Sequence, residues 1–232
     1  MTRDAQQRAA GAAAAKLVEN DTIVGLGTGA TASHFILALV ERVKTEGLRV
    51  KAIPTSKRSG QLAEAGGIEL TSFAKTRRVD LTVDGADQIQ RGTLHLVKGL
   101  GGALLREKIV AAASDRLVII AESAKLVDRL GGPIPVPVEV VRFGWETTAS
   151  RLAAFGCEPK LRWPKDGNEP LVTELGNYIL DCAFPPILDP AKLEQDLSHT
   201  VGVVESGLFI GMAEMAIVGT SKGVETLKVT TG

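Results

Sequence analysis

The chain has 232 residues, 44% of them apolar, with 27 basic side chains against 27 acidic ones. That apolar content excludes a disordered chain, and the balanced charge removes any overall electrostatic case for nucleic acid or an anionic membrane surface. Two cysteines, Cys157 and Cys182, lack metal-type spacing and read as reduced thiols of a cytoplasmic protein.

The opening, "MTRDAQQRAAGAAAAKLVEN", is alanine-rich but broken by charges, and its apolar runs are too short for a membrane span or a signal core. It predicts a helix with Thr2 or Asp4 near its cap. From about residue 20, strand and helix alternate. "DTIVGLG" reads as strand, "ATASHFILALVERVKTE" as helix, "LRVKAIPTS" as strand and "KRSGQLAEAG" as helix. "RVDLTVDGAD" and "RLVIIAES" are further strands around the glycine-rich, then helical "LVKGLGGALLREKIVAAAS". Short apolar runs separated by helices predict a Rossmann-like parallel sheet covered on both faces, with ligands held beyond the carboxyl ends of its strands.

At "LGGPIPVPVEV" the composition shifts, marking a boundary. Beyond it come strand 136–142, helix 146–155, strands 158–163 and 177–183, helix 190–198 and strand 201–205. That β-α-β-β-α-β order predicts a smaller, ferredoxin-like α+β domain. The tail reads as two strands around a Ser-Lys-Gly turn. The expected division is therefore a core of residues 1–131, rejoined by 206–232, with residues 132–205 inserted.

Three clusters fall at strand ends. "GLGTGATA" (25–32) joins a strand to a helix, where exposed amides and the helix dipole suit an anion. Gly25, Gly27 and Ala30 meet the permissive dinucleotide fingerprint. The second strand, however, ends in "IPTSKRSG" rather than in the acid that a ribose hydroxyl needs, although Lys57 or Arg58 could face an adenine dinucleotide phosphate. "TVDGADQIQ" carries Asp84 and Asp87, two carboxylates that would repel unless amides or cations offset them; a solvated Asp-Gly turn is the plainer alternative. "LVKGLGGALLREKIV" places Lys98 before three glycines and a helix bearing Glu107, close enough to its start to turn back to the same mouth. Lys125 follows the next strand. His34, His95 and His199 are scattered, and no metal-ligand set or Gly-x-Ser-x-Gly elbow occurs. The chemistry expected is metal-free and acid–base in kind.

Taken in order, "GLGTGATA", "PTSKRSG", "LTVDGADQI", "LVKGLGGALLREKIVA", "GNYILD" and "GVVESGLF" resemble the type A ribose-5-phosphate isomerase family across nearly the whole chain. The resemblance implies an aldose–ketose isomerase of the pentose phosphate pathway with no metal or organic cofactor, assembled as a homodimer or homotetramer. Its smaller domain would be a lid or assembly surface. It implies Glu107 as catalytic base. It further implies Thr28, Gly29, Ala30 and Thr31 as a substrate loop, and Asp84, Gly85, Ala86 and Asp87 as the paired-acid motif. Lys98, Gly99, Leu100 and Gly101 would form the lysine–glycine motif, and Lys125 would be a further substrate-binding lysine. Three departures stand out. Ala30 replaces a usual serine, Leu100 replaces a common glycine and would narrow the approach, and Gln7-Arg8 stands for a usual basic pair. Glycine-rich strand ends also occur in amino-sugar phosphate deaminases and CoA transferases, and a silent sugar-phosphate sensor would need only the anion loop.

Overall fold

The computed structural model describes residues 1–230; residues 231 and 232, the end of the tail expected to rejoin the core, lie outside the described residues. In chain order, the first half contains α1 (Arg3–Ala15), β1 (Thr22–Leu26), α2 (Ala30–Glu46), β2 (Val50–Pro54), α3 (Lys57–Ala65) and β3 (Glu69–Leu70). It continues with β4 (Leu81–Gly85), β5 (Gln88–Gln90), β6 (Leu96–Val97), α4 (Leu104–Ala112), β7 (Leu117–Glu122) and β8 (Leu126–Val127). Then come β9 (Val136–Val140), α5 (Trp145–Ala153), β10 (Glu158–Leu161), β11 (Tyr178–Ala183), α6 (Pro190–Ser198) and β12 (Val203–Ser206). One short strand and a hairpin close the described chain: β13 (Leu208–Phe209), then β14 (Met215–Thr220) and β15 (Gly223–Lys228).

The main sheet has the order β15-β14-β7-β4-β1-β2-β3, and all its pairings are parallel except the β14–β15 edge. Strand β7 shows why it is central: every residue of "LVIIAE" is buried. Alternation sends Val118 and Ile120 to one core, with Ala14, Phe35 and Leu39 of α1 and α2. Leu117, Ile119 and Ala121 go to the other, with Ile89, Leu96 and Phe209. Thr2 caps α1 by accepting from the Ala5 N–H at 3.3 Å, and α2 stops at Gly47 in the left-handed conformation, φ 69°.

The second sheet, β10-β11-β9-β12, is antiparallel and carries α5 and α6, which matches the expected ferredoxin-like order. A third sheet, β13-β6-β5-β8, was not expected and lies against the α4 face of the main sheet. It corrects one expectation. Lys98 does follow a strand, but that strand is β6, which pairs antiparallel with β5 and β13 rather than joining the parallel sheet. No helix among the described residues is long and apolar enough to cross a membrane.

The strand order reverses between β1 and β4: the chain runs outward to β2 and β3 on one side and to β7 and β14 on the other. Loops leaving neighbouring strands there diverge and leave a crevice. The loop after β1 is Gly27–Gly29, and the one after β4 is Ala86–Asp87.

Candidate active site

Gly27 leaves β1 by laying its N–H on the Val83 carbonyl at 3.0 Å, and it lies so close to β4 that a Cβ there would sit 2.1 Å from Asp84 Oδ1. Gly27→Ala should therefore displace the Asp84 carboxylate and cost about 1–3 kcal/mol of stability, readable as a lowered denaturation midpoint. Thr28 shares a 2.7 Å hydrogen bond with Thr55. Gly29 adopts φ 108°, a conformation that a side chain would strain. It opens α2 without any side-chain cap, leaving the first amides of a 17-residue helix and its dipole facing the crevice.

Asp84 is 1% exposed and spends both oxygens on protein. Oδ1 accepts from the N–H groups of Thr28 (3.0 Å) and Gly85 (2.7 Å), and Oδ2 pairs with Lys98 Nζ at 3.0 Å. Asp87 turns elsewhere and accepts from the Leu100 N–H at 2.9 Å. Lys98, 2% exposed, also donates to the Gly85 carbonyl. Burial works against its charge, but Asp84 and Glu107 outweigh burial and raise its pKa above the ordinary lysine value.

Glu107 sits in the first turn of α4, 4% exposed. Its Oε2 lies 3.5 Å from Lys98 Nζ and has no hydrogen-bond partner among the described residues. Burial drives its pKa up to about 8; Lys98 pulls it down, and Asp84 and Asp87 push it further up. A carboxylate in that range can take or give a proton near neutral pH.

These groups surround one cleft of about 130 Å³. Thr28 to Thr31, Gly85 to Asp87, Lys98, Gly99, Gly101, Glu107 and Lys125 all line it. Asp84 lies behind Lys98, and Leu100 is exposed and is not among the residues that line the cleft. Three further residues line it: Arg3, Gln7 and Glu122. Arg3 Nε pairs with the buried Glu122 at 2.9 Å, and Gln7 donates to the same carboxylate at 3.0 Å. Arg8 instead pairs with Asp4 on the surface. The signal in the sequence is the spacing of Arg3 and Gln7, one helical turn apart on one face. Among the described residues no three His, Cys, Asp or Glu side chains converge as a metal site.

A doubly wound α/β sheet that holds a buried Lys–Asp pair, a glutamate titrating near 8 and an open helix N-terminus in one small cleft defines an acid–base enzyme for small anionic substrates. The model of ribose 5-phosphate isomerase A (phosphoriboisomerase A) matches residues 51–223. Relatives named ribose-5-phosphate isomerase A include one from Synechococcus sp. (strain JA-3-3Ab), 51% identical over 97% of each chain, and one from Gloeobacter violaceus, 52% identical over 98% of this chain and 97% of that one. The structure of ribose 5-phosphate isomerase A from Methanocaldococcus jannaschii is 37% identical, with TM-score 0.94 over 98% of this chain and 100% of that one. A D-ribose-5-phosphate isomerase in complex with phospho-erythronic acid is 35% identical, with TM-score 0.95 over 98% of this chain and 100% of that one. This chain belongs to the ribose 5-phosphate isomerase A family.

Proposed function

We propose that Glu107 moves the proton in this chain's interconversion of D-ribose 5-phosphate and D-ribulose 5-phosphate, a step of the pentose phosphate pathway. The observation that carries the reading is the orphaned, buried Glu107 oxygen on the cleft, held near pKa 8 beside Lys98. Glu107 takes the C2 proton of the open-chain aldose and returns it to C1 through an enediolate. Lys98 and the glycine-loop amides meet the negative charge that develops on oxygen. Asp84 is committed to holding Lys98 and the Thr28 loop, whereas Asp87 lines the cleft with one oxygen unclaimed by the bonds described above. Asp87 is therefore the aspartate that shuttles the hydroxyl proton when the sugar ring opens. The amides of Ala30 and Thr31, with Arg3 and Lys125, face the phosphate. Phospho-erythronic acid, bound by the similar isomerase, joins a phosphate to a planar carboxylate that mimics the planar, negatively charged oxygens of an enediolate.

The same reading includes a cytoplasmic location and assembly as a homodimer or homotetramer through the unit 132–205. The exposed Phe143, Leu188 and Val201 of that unit support such assembly. The core of residues 1–131 with 206–232 keeps the chemistry.

Conversion of ribose 5-phosphate by the purified chain in excess chelator tests the reading: sustained turnover is expected, and folded protein without turnover removes it. Arg3→Met should raise KM about three- to tenfold with little change in kcat, since one exposed cation near a phosphate adds modest, salt-screened attraction. Ala30→Ser should lower KM a few-fold by adding a hydroxyl donor at the start of α2, and steady-state kinetics checks both.

A further inference from the structure

Arg162 belongs to the smaller α+β unit, directly after β10, and no step above uses it. Its guanidinium is nonetheless almost fully enclosed and reaches out of its own unit. Nη1 donates to the Gly99 carbonyl at 2.8 Å and the Leu100 carbonyl at 3.1 Å, both in the glycine loop beside the cleft. The other side of the fork is claimed by Asp181 of β11. Nε donates to Oδ2 at 2.8 Å, and Nη2 makes a short contact to Oδ1. A bidentate carboxylate fixes the guanidinium plane, so Nη1 has little freedom in where it points. The Arg162 backbone is held as well, with its N–H on Ile179 and its carbonyl accepting from Leu171, each at 2.9 Å.

What this grip does follows from peptide geometry. In a trans peptide the N–H points opposite to the C=O. With the Gly99 carbonyl turned to Arg162, the Leu100 N–H must face the other way, and it does, onto Asp87 at 2.9 Å. By the same rule, a Leu100 carbonyl turned to Arg162 sends the Gly101 N–H away from the smaller unit. Gly101 lines the cleft, and its N–H has no protein partner among the described residues.

We propose that Arg162 is a positioning residue for the isomerisation: held by Asp181, it turns the Gly99 and Leu100 carbonyls outward and so aims the Gly101 N–H at the oxygen that becomes negative in the enediolate. The inference rests on the isomerase reading above. It makes the smaller unit part of the catalytic alignment rather than only a surface for assembly. Lysine cannot reproduce it, because a single ammonium cannot hold the Asp181 fork and two carbonyls in one plane.

The test compares wild type with Arg162→Met, Arg162→Lys and Asp181→Asn in steady-state isomerisation, together with inhibition by phospho-erythronic acid and by inorganic phosphate. Losing one oxyanion donor typically costs about 10²–10³ in kcat, and misaiming one costs less, so about a 10- to 100-fold fall is expected for Met. Lys and Asn should fall between Met and wild type. KM and the inhibition constant for inorganic phosphate should stay within about threefold, while phospho-erythronic acid weakens in step with kcat. The unit keeps another grip on the core, since Glu174 pairs with Arg106 and accepts from the Lys57 N–H at 2.9 Å, so Arg162→Met is expected to fold. If it does not fold, the Lys and Asn variants carry the comparison. Unchanged kcat in the folded variants, or equal losses for phosphate and phospho-erythronic acid, overturns the positioning role. An inactive wild type would instead overturn the isomerase reading itself.

Discussion

Glu107→Gln should lower kcat by about 10²–10⁴ while leaving KM for ribose 5-phosphate within about threefold. The amide keeps the shape and burial of the side chain but cannot accept a proton from carbon, and general acid–base catalysis is worth that range. The wild-type pH profile should report the same group. Glu107 works as a base only when ionised, and burial, with Lys98 opposing, sets its pKa at about 8. Hence kcat/KM should climb with pH and level off above about 8. The second ionisation of a phosphate, near about 6, should produce a separate, lower bend. Stability carries the opposite sign. A carboxyl whose pKa rises from an ordinary 4.5 to about 8 on folding holds a proton that the unfolded chain releases. Its contribution is complete below 4.5 and is lost as pH rises through about 8, a loss the Gln variant does not share. The melting temperature of Glu107→Gln relative to wild type should therefore increase across that window. A variant retaining most of its turnover, with an unchanged acid limb, would remove Glu107 as the base.

Lys98→Met should be the most damaging single change to the site as a whole. The lysine joins Asp84 at 3.0 Å to Glu107 at 3.5 Å, with all three groups nearly inaccessible to solvent. Removing the one cation leaves the buried Asp84 carboxylate without its counter-charge, which typically costs about 3–5 kcal/mol. In a chain of this size that is on the order of 10 °C in melting temperature. Activity should fall by at least about 10²-fold, because the developing oxyanion loses its nearest positive charge. The residual acid limb should also move upward, since Lys98 is the group that lowers the Glu107 pKa. Calorimetry and a pH–rate profile check the two halves; a melting temperature near wild type would mean that Asp84 and Glu107 are not held by this lysine.

Much of the architecture is legible in the amino-acid order. The helix read from "ATASHFILALVERVKTE" spans Ala30–Glu46 in the structure, and the β-α-β-β-α-β order of the smaller unit is present. Long apolar runs and glycine boundaries carry those signals. Strands β5, β6, β8 and β13 were not legible, because two or three residues show no periodicity and their partners are long-range. Within the cleft, the acids and the glycines could be placed because each follows a recognisable strand or opens a helix, and Lys98 because it directly precedes the glycine run that leads into α4. Arg3 and Glu122 could not: one lies on the first helix, the other ends β7, and only the folded chain brings them to 2.9 Å. Arg162 was hidden for the same reason, since nothing in "KLRWPKD" tells that its guanidinium crosses to Gly99.

The pairing of β7 with β14 has a consequence for how the protein is made. Glu122 ends β7 and Met215 begins β14, so one edge of the strand behind the site stays open while everything between them is synthesised. A nascent chain must carry that buried, aliphatic edge unpaired as the smaller unit emerges from the ribosome and folds. Such exposed edges invite mispairing during slow, non-local sheet assembly. The smaller unit can be whole while the cleft-bearing sheet still waits for its last parallel strand, so a chain stalled before Met215 should be recognised by chaperones rather than persist as a weak enzyme.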